Sequence, residues 1–220
     1  MKTLRGIAAS GGIAIGPAFH FRRPKLSFQR CVAQDAGHEW ARFQAALEAA
    51  KAQLAEVYAR AEAESGAEQA AIFQAQALMI EDPELLGAVR TAIQEQCVNA
   101  ESALSDAAEV YVQALESLDS QYLGARAADV RDVTDRLLRI LLGVSDRPAG
   151  GLVAPAIILA DDLTPSDTVL LDKSLVLGFC TAGGGATSHT VILARSLGLP
   201  AVVGAGPAVL EVPDGAPLVL

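Results

Sequence analysis

The sequence changes texture twice, at Asp35 and again after Pro148-Ala-Gly-Gly151, and this limits its possible folds more than any other feature. Residues 3–32 are punctuated by Gly6, Gly11, Gly12, Gly16 and Pro17 between short apolar runs such as Ile13-Ala-Ile15 and Ala18-Phe19. Glycine and proline at that density break helices and predict short strands and turns. From Asp35 onward Trp40, Phe43, Leu47, Leu54 and Val57 recur at spacings of three, four and seven, which predicts an amphipathic helix to about residue 65. Ser65-Gly66 breaks it, and a second helix covers about 68–80. Asp82 then caps a third, with Pro83 at its first position and Leu85, Leu86, Val89 and Ile93 as its apolar face. Asn99 caps a fourth to about residue 118, with Leu104, Ala108, Tyr111 and Leu115 on one stripe. A fifth covers 122–142 and stops at Gly143.

Beyond residue 151 the runs 152–160 and 175–180 read as buried strands, 190–197 as a short helix, and 201–203 and 218–220 as further strands. Strands alternating with short helices predict an α/β unit, which the strand-like N-terminal residues would join. The expected fold class is an α/β subdomain, residues 1–34 and 144–220, with an inserted all-α helical bundle subdomain at 35–143. Leu220 ends the sequence within an apparent strand, so a piece of a longer protein is expected. Aromatics are only 5% of the chain against 51% hydrophobic residues, so alanine, leucine and valine must supply the core.

Charge divides along the same lines. Residues 1–34 hold six Lys/Arg and no acid, residues 35–143 hold 19 Asp/Glu against eight Lys/Arg, and residues 144–220 hold seven against three. The net −11 of the middle segment disfavours nucleic acid and anionic membranes and favours a basic protein partner, although a charged helix face also serves solubility alone. No run of about 18 apolar residues occurs, and the N-terminus lacks the apolar core of a signal peptide. Cys31, Cys97 and Cys180 are odd in number and widely spaced, which argues against a disulfide framework or a zinc site. A reducing cytoplasm is the expected location.

The run Gly183-Gly-Gly-Ala-Thr-Ser-His-Thr carries the candidate chemistry. Glycines let backbone approach a ligand, and a helix start offers unpaired N–H groups and partial positive charge, so the run suits a phosphate. Gly184, Gly185, Thr187, Ser188 and Thr190 are the expected supports of that phosphate site, and His189 sits at its mouth. A neutral imidazole nitrogen is a nucleophile able to accept a phosphoryl group. On the residues alone, short motifs being weak, a structural helix-cap histidine is the favoured reading and the phosphoryl carrier stays open beside it. His20 and His38 lack metal-ligand spacing and read as structural or exposed.

The stretch from Gly184 to Gly204 closely resembles the phosphohistidine motif of the enzyme I family, the phosphoenolpyruvate–protein phosphotransferases of the bacterial sugar phosphotransferase system. Ser10-Gly-Gly-Ile-Ala-Ile-Gly16 resembles the family's N-terminal strand, Ala125-Arg-Ala-Ala-Asp-Val-Arg-Asp132 its fifth helix, and the stretch from Leu159 to Thr168 the strand and loop beside the active histidine. The resemblance implies that His189 is phosphorylated on Nε2 by phosphoenolpyruvate and passes the group to a histidine of the small carrier HPr. It implies that Thr168 hydrogen-bonds the active imidazole. It also makes the helical insertion the HPr-docking subdomain, with Glu68, Ala71, Leu78, Met79, Asp82, Glu84, Leu85 and Arg126 at docking positions. The family's phosphoenolpyruvate site, Mg²⁺ ligands and dimer interface lie on a C-terminal barrel. A monomer without a metal site is therefore expected for these residues, and a homodimer for the longer protein. Ala186 stands where the family usually carries Arg, and Ala67 and Gln69 where many members have charged docking residues. The histidine motif is shared with pyruvate phosphate dikinase and phosphoenolpyruvate synthase, so a swivelling domain of that type is one alternative. A binding module with an inert His189 is the other.

Overall fold

The periodic middle of the sequence folds as five helices: α1 (Ala36–Ser65), α2 (Ala67–Met79), α3 (Pro83–Gln94), α4 (Ala100–Glu116) and α5 (Gln121–Leu142). The structure is a computed structural model and describes residues 3–118, 120–144, 151–185 and 188–220, apart from the side chains of Glu64, Ser65, Gln69, Gln121, Tyr122, Ala125 and Val169. Asp35 caps α1 by accepting the His38 amide at 3.0 Å, and Gly66, at φ 92°, separates α1 from α2. Asp82 caps α3 through the amides of Glu84 and Leu85, and Gly143, left-handed at φ 63°, ends α5. Phe43, Ala46, Ala50 and Leu54 make the buried stripe of α1, and α4 packs along α5. Trp40 stacks on Phe43 and lies under the Arg90 guanidinium. Among the described residues no helix is long and apolar enough to cross a membrane.

Asn99 stands at the start of α4 but its side chain does not cap that helix. It accepts the Cys31 amide and donates to Gln29 O and Glu101 Oε2. Glu39 of α1 takes over the capping by accepting the Ala100 amide at 2.9 Å. Arg42 then donates to Glu39, to Glu101 and to the Leu141 carbonyl at the end of α5. Burial pushes the Glu101 carboxyl up, but its own N-terminal amide, Arg42 and Asn99 outweigh that and hold it below the usual range.

The chain divides into two compact units, residues 1–24 with 147–220, and residues 25–146. The expected boundary at 34/35 thus falls ten residues earlier, because 25–34 is tied to the helices. Val32 pairs with Val98 in an antiparallel bridge, Ala33 N donates to Cys97 O, and Arg30 pairs with Asp106. Charge sign had grouped this segment with the N-terminus; long-range backbone bonding assigns it otherwise.

The unit of residues 1–24 and 147–220 is built on a six-stranded sheet ordered β1-β5-β4-β3-β2-β6. Its strands are β1 (Ile7–Ser10), β2 (Ile15–His20), β3 (Ala156–Ala160), β4 (Val176–Thr181), β5 (Ala201–Val203) and β6 (Pro217–Val219). Strands β2 to β5 run parallel, and β1 and β6 pair antiparallel at the edges. Every residue of β3 is buried, as a strand covered on both faces requires. Ile158, Phe179 and Ala201 sit in one row under α7 (His189–Leu197), while Ile157, Leu159 and Cys180 face the opposite cluster around Val209. The strand expected over 152–160 begins only at Ala156, because Pro155 has no amide to give a central ladder. Thr168, expected in a loop, lies on a short helix, α6 (Pro165–Leu170). His20 is buried, donating Nε2–H to the Val212 carbonyl, and His38 is exposed.

Candidate functional site

In the α/β unit both short helices begin where a parallel strand ends: α6 follows β3 and α7 follows β4. Ligands of open α/β sheets collect at the carboxyl ends of such strands. Residues 183–185 leave β4 there and are stitched on both sides by backbone bonds. Gly183 N donates to Asp161 O at 2.7 Å, Gly204 N donates to Gly183 O at 2.8 Å, and Gly206 N donates to Ala182 O. Thr181 Oγ1 closes the turn on Gly183 O. Gly184 has φ 82°, and a Cβ there would lie 3.2 Å from Asp162 Oδ1 and 3.3 Å from Ser188 Oγ, so the position admits only glycine without strain. Apart from its own chain neighbours, no atom of the described residues lies within 4 Å of the corresponding point on Gly185.

Ser188 precedes α7, and its amide donates to Gly185 O at 2.9 Å. Its hydroxyl oxygen is buried and has no hydrogen-bond partner. His189 is the first helical residue and is half-buried. Thr187 and Ala186 lie outside the described residues. Thr190, expected among the phosphate donors, is instead fully buried, and its hydroxyl donates to Asp162 Oδ1 at 3.3 Å. It faces the interior because it is one residue further round the helix than His189.

Thr168 is buried on α6, which packs against α7, and its hydroxyl donates to the Pro165 carbonyl at 2.7 Å. Its proton is therefore committed, and its oxygen can only accept from a further partner. A capping box and an ion pair hold this short helix. Thr164 and Asp167 form a reciprocal capping box, and Asp167 also pairs with Arg23. At its other end α7 is fastened by Arg195, whose Nε donates to the Ala9 carbonyl where β1 is irregular. Burial pushes the Cys180 thiol up to about 11, so this thiol on β4 stays neutral and inert. Asp162 and Arg195 escaped the sequence reading because neither contact is local.

The helical unit holds the eight docking candidates. Glu68, Ala71 and Leu78 are exposed on α2, with Ala71 and Leu78 two turns apart on one face. Met79 and Asp82 are half-buried and Glu84 is exposed. Leu85, on α3, is buried beneath that surface. Arg126, on α5, lies 3.5 Å from Asp129. The Tyr111 hydroxyl shares its proton between Asp82 and Glu84, a polar link that its place on the apolar stripe of α4 does not reveal. Backbone amides of α3 and that hydroxyl together hold the Asp82 carboxyl below its ordinary value.

Residues 5–126 match the family described as PEP-utilising enzyme, N-terminal, and residues 152–220 match PEP-utilising enzyme, mobile domain. The chain belongs to the PEP-utilising enzymes. It is 44% identical over 214 residues to a phosphoenolpyruvate-protein phosphotransferase of Bacillus sp. (strain S), an alignment covering 97% of this chain and 37% of that protein. It is 43% identical over 220 residues to the corresponding protein of Staphylococcus carnosus (strain TM300), covering 100% of this chain and 38% of that one. The chain thus spans little more than a third of the length of such relatives. Its fold matches the solution structure of Enzyme I (nEIt) with TM-score 0.78 at 39% identity, covering 99% of this chain and 89% of that one. The N-terminal domain of Enzyme 1 – Nitrogen matches with TM-score 0.63 at 26% identity, covering 99% and 90%. The family uses phosphoenolpyruvate; among the described residues of this member no group of three or more His, Cys, Asp or Glu could hold a metal ion.

Proposed function

We propose that His189 is a phosphoryl relay: its Nε2 accepts a phosphoryl group originating on phosphoenolpyruvate and passes it to a histidine of HPr. The observation that carries this reading is the place of His189 as the first residue of α7, after a glycine run that strand-end backbone bonds hold in a left-handed turn. In the charging step the P–O bond to the enol oxygen breaks as the P–Nε2 bond forms; in the discharging step P–Nε2 breaks as the P–N bond on HPr forms. The α7 N-terminus favours the neutral imidazole before transfer and the phosphoryl anion after it. Thr168, with its proton spent on Pro165, accepts the Nδ1–H of His189 and leaves the Nε2 lone pair for phosphorus. Gly184, Gly185, Thr187 and Ser188 are assigned to the phosphoryl cradle.

HPr, presenting a basic surface, docks on the acidic helical unit through Glu68, Ala71, Leu78, Met79, Asp82, Glu84 and Arg126, with Leu85 beneath them. Opposed charge of this kind speeds encounter more than it fixes affinity. Binding of phosphoenolpyruvate and Mg²⁺, and dimerisation, are assigned to the remaining length of the relatives, with this span monomeric and in the cytoplasm.

The 220-residue chain mixed with phospho-HPr should gain one phosphoryl group by intact mass, and His189→Ala should gain none. Phosphoenolpyruvate with Mg²⁺ should leave the chain unlabelled. Label that persists in His189→Ala, or no label from phospho-HPr on the unmodified chain, overturns the relay.

A further inference from the structure

Asp162 leaves β3 two residues after its end and makes one oxygen do several tasks. Oδ1 accepts the Leu163 amide at 2.8 Å and the Thr190 hydroxyl at 3.3 Å. The same oxygen stands 3.2 Å from the point a Cβ on Gly184 would occupy. It therefore meets the start of the β3–α6 connection, the glycine run and the first turn of α7 at once. Thr190 is fully buried on its side of the contact, while Asp162 is exposed. Successive helical residues lie about 100° apart around the axis, so the rotation of α7 that turns Thr190 inward also sets the direction of its neighbour His189. Arg195 fixes the far end of α7 to β1, but an anchor there leaves the first turn to be set locally.

We propose that Asp162 is a positioning residue for phosphoryl transfer at His189, acting through the Thr190 hydroxyl to set the rotation of α7 about its axis. This rests on the relay described above. Misplacing a reacting group by about 1 Å can cost up to about 100-fold in rate, and loss of the anchor allows a shift of that kind.

The test uses the 220-residue chain and phospho-HPr as donor. Single-turnover rates over a range of donor concentrations are compared for Asp162→Ala, Asp162→Asn, Thr190→Val, Thr190→Ser and the Asp162→Ala/Thr190→Val pair, with thermal melts showing which variants are folded. Asp162→Ala and Thr190→Val should each lower the limiting rate roughly tenfold, with the half-saturating donor concentration unchanged. The pair should be no slower than either alone, because both changes remove one contact. Asp162→Asn and Thr190→Ser keep an acceptor oxygen and a hydroxyl, and should stay within about twofold. The proposal is overturned if Asp162→Ala or Thr190→Val transfers at the unmodified rate, if the two losses multiply, if Asp162→Asn is as slow as Asp162→Ala, or if only the donor concentration dependence changes. Should the unmodified chain accept no phosphoryl group, the relay fails and the anchor is judged separately by NMR of the His189 ring. Asp162→Ala and Thr190→Val should then move its resonances alike, and unchanged resonances would reject the anchor.

Discussion

In the helical unit side chains satisfy the helix ends and ionised groups enter the interior, whereas in the α/β unit backbone bonds and aliphatic packing carry most of the structure. Glu39, Arg42, Asn99 and Glu101 join α1, α4 and α5, and Gln76 donates to Asp132 between buried faces of α2 and α5. The α/β unit instead stacks Ile157, Ile158, Leu159 and Phe179 on its two faces and holds residues 183–185 by amide-to-carbonyl bonds. Amide bonds and apolar contacts do not titrate. In the proposed relay, a unit that gains and loses a phosphoryl anion in each cycle would be well served by a framework that rests mostly on such bonds, apart from pairs such as Arg23–Asp167.

The comparison can be broken by substitution, with stability read separately for each unit by amide hydrogen exchange. Phe179→Ala should have the largest effect, about 3–5 kcal/mol lost from the α/β unit, because a fully buried ring leaves a cavity. Protection of α1 and α4 should not change. Arg42→Ala should cost the helical unit about 2 kcal/mol, since it strips a charge-assisted donor from buried Glu101, and β3 and β4 should keep their protection. Acid should act next. The folded-state pKa values of Glu101 and Asp82 lie below their unfolded ones, so their contribution is complete above the unfolded values of about 4.3 and 3.9 and is lost as pH falls through the lower folded values. Helical-unit stability from these groups should stay level between about pH 7 and 5 and decline below about pH 4. Asp35→Ala should have the smallest effect, about 1 kcal/mol from the lost α1 cap. A loss of protection in the α/β unit equal to that in α1 would show that the two do not unfold separately.

The same contrast governs how much could be read in advance. Asp82-Pro83 and Gly143 mark helix ends by local chemistry, and the helices of the middle segment begin and end within about two residues of where those signals put them. Helix α6 carries an equally local signal, Thr164-Pro165 with Asp167 at the third position, but six residues are too few for a period to show. Strand β1 went unmarked because three of its four residues are not buried and it pairs with β5 nearly two hundred residues away. At the site, the glycine run and His189 stand out in the sequence. The inward turn of Thr190 and the part played by Asp162 do not, because they arise only when β3 and β4 lie side by side.

The stacked Trp40 has a consequence for observing the molecule. It is the only tryptophan, and the three tyrosines, Tyr58, Tyr111 and Tyr122, also fall within residues 25–146. Tryptophan and tyrosine fluorescence therefore reports on the helical unit alone. Chemistry at His189 is optically silent, and a phenylalanine-to-tryptophan exchange at Phe19 or Phe21, which border the α/β core, would be the way to give that unit a voice.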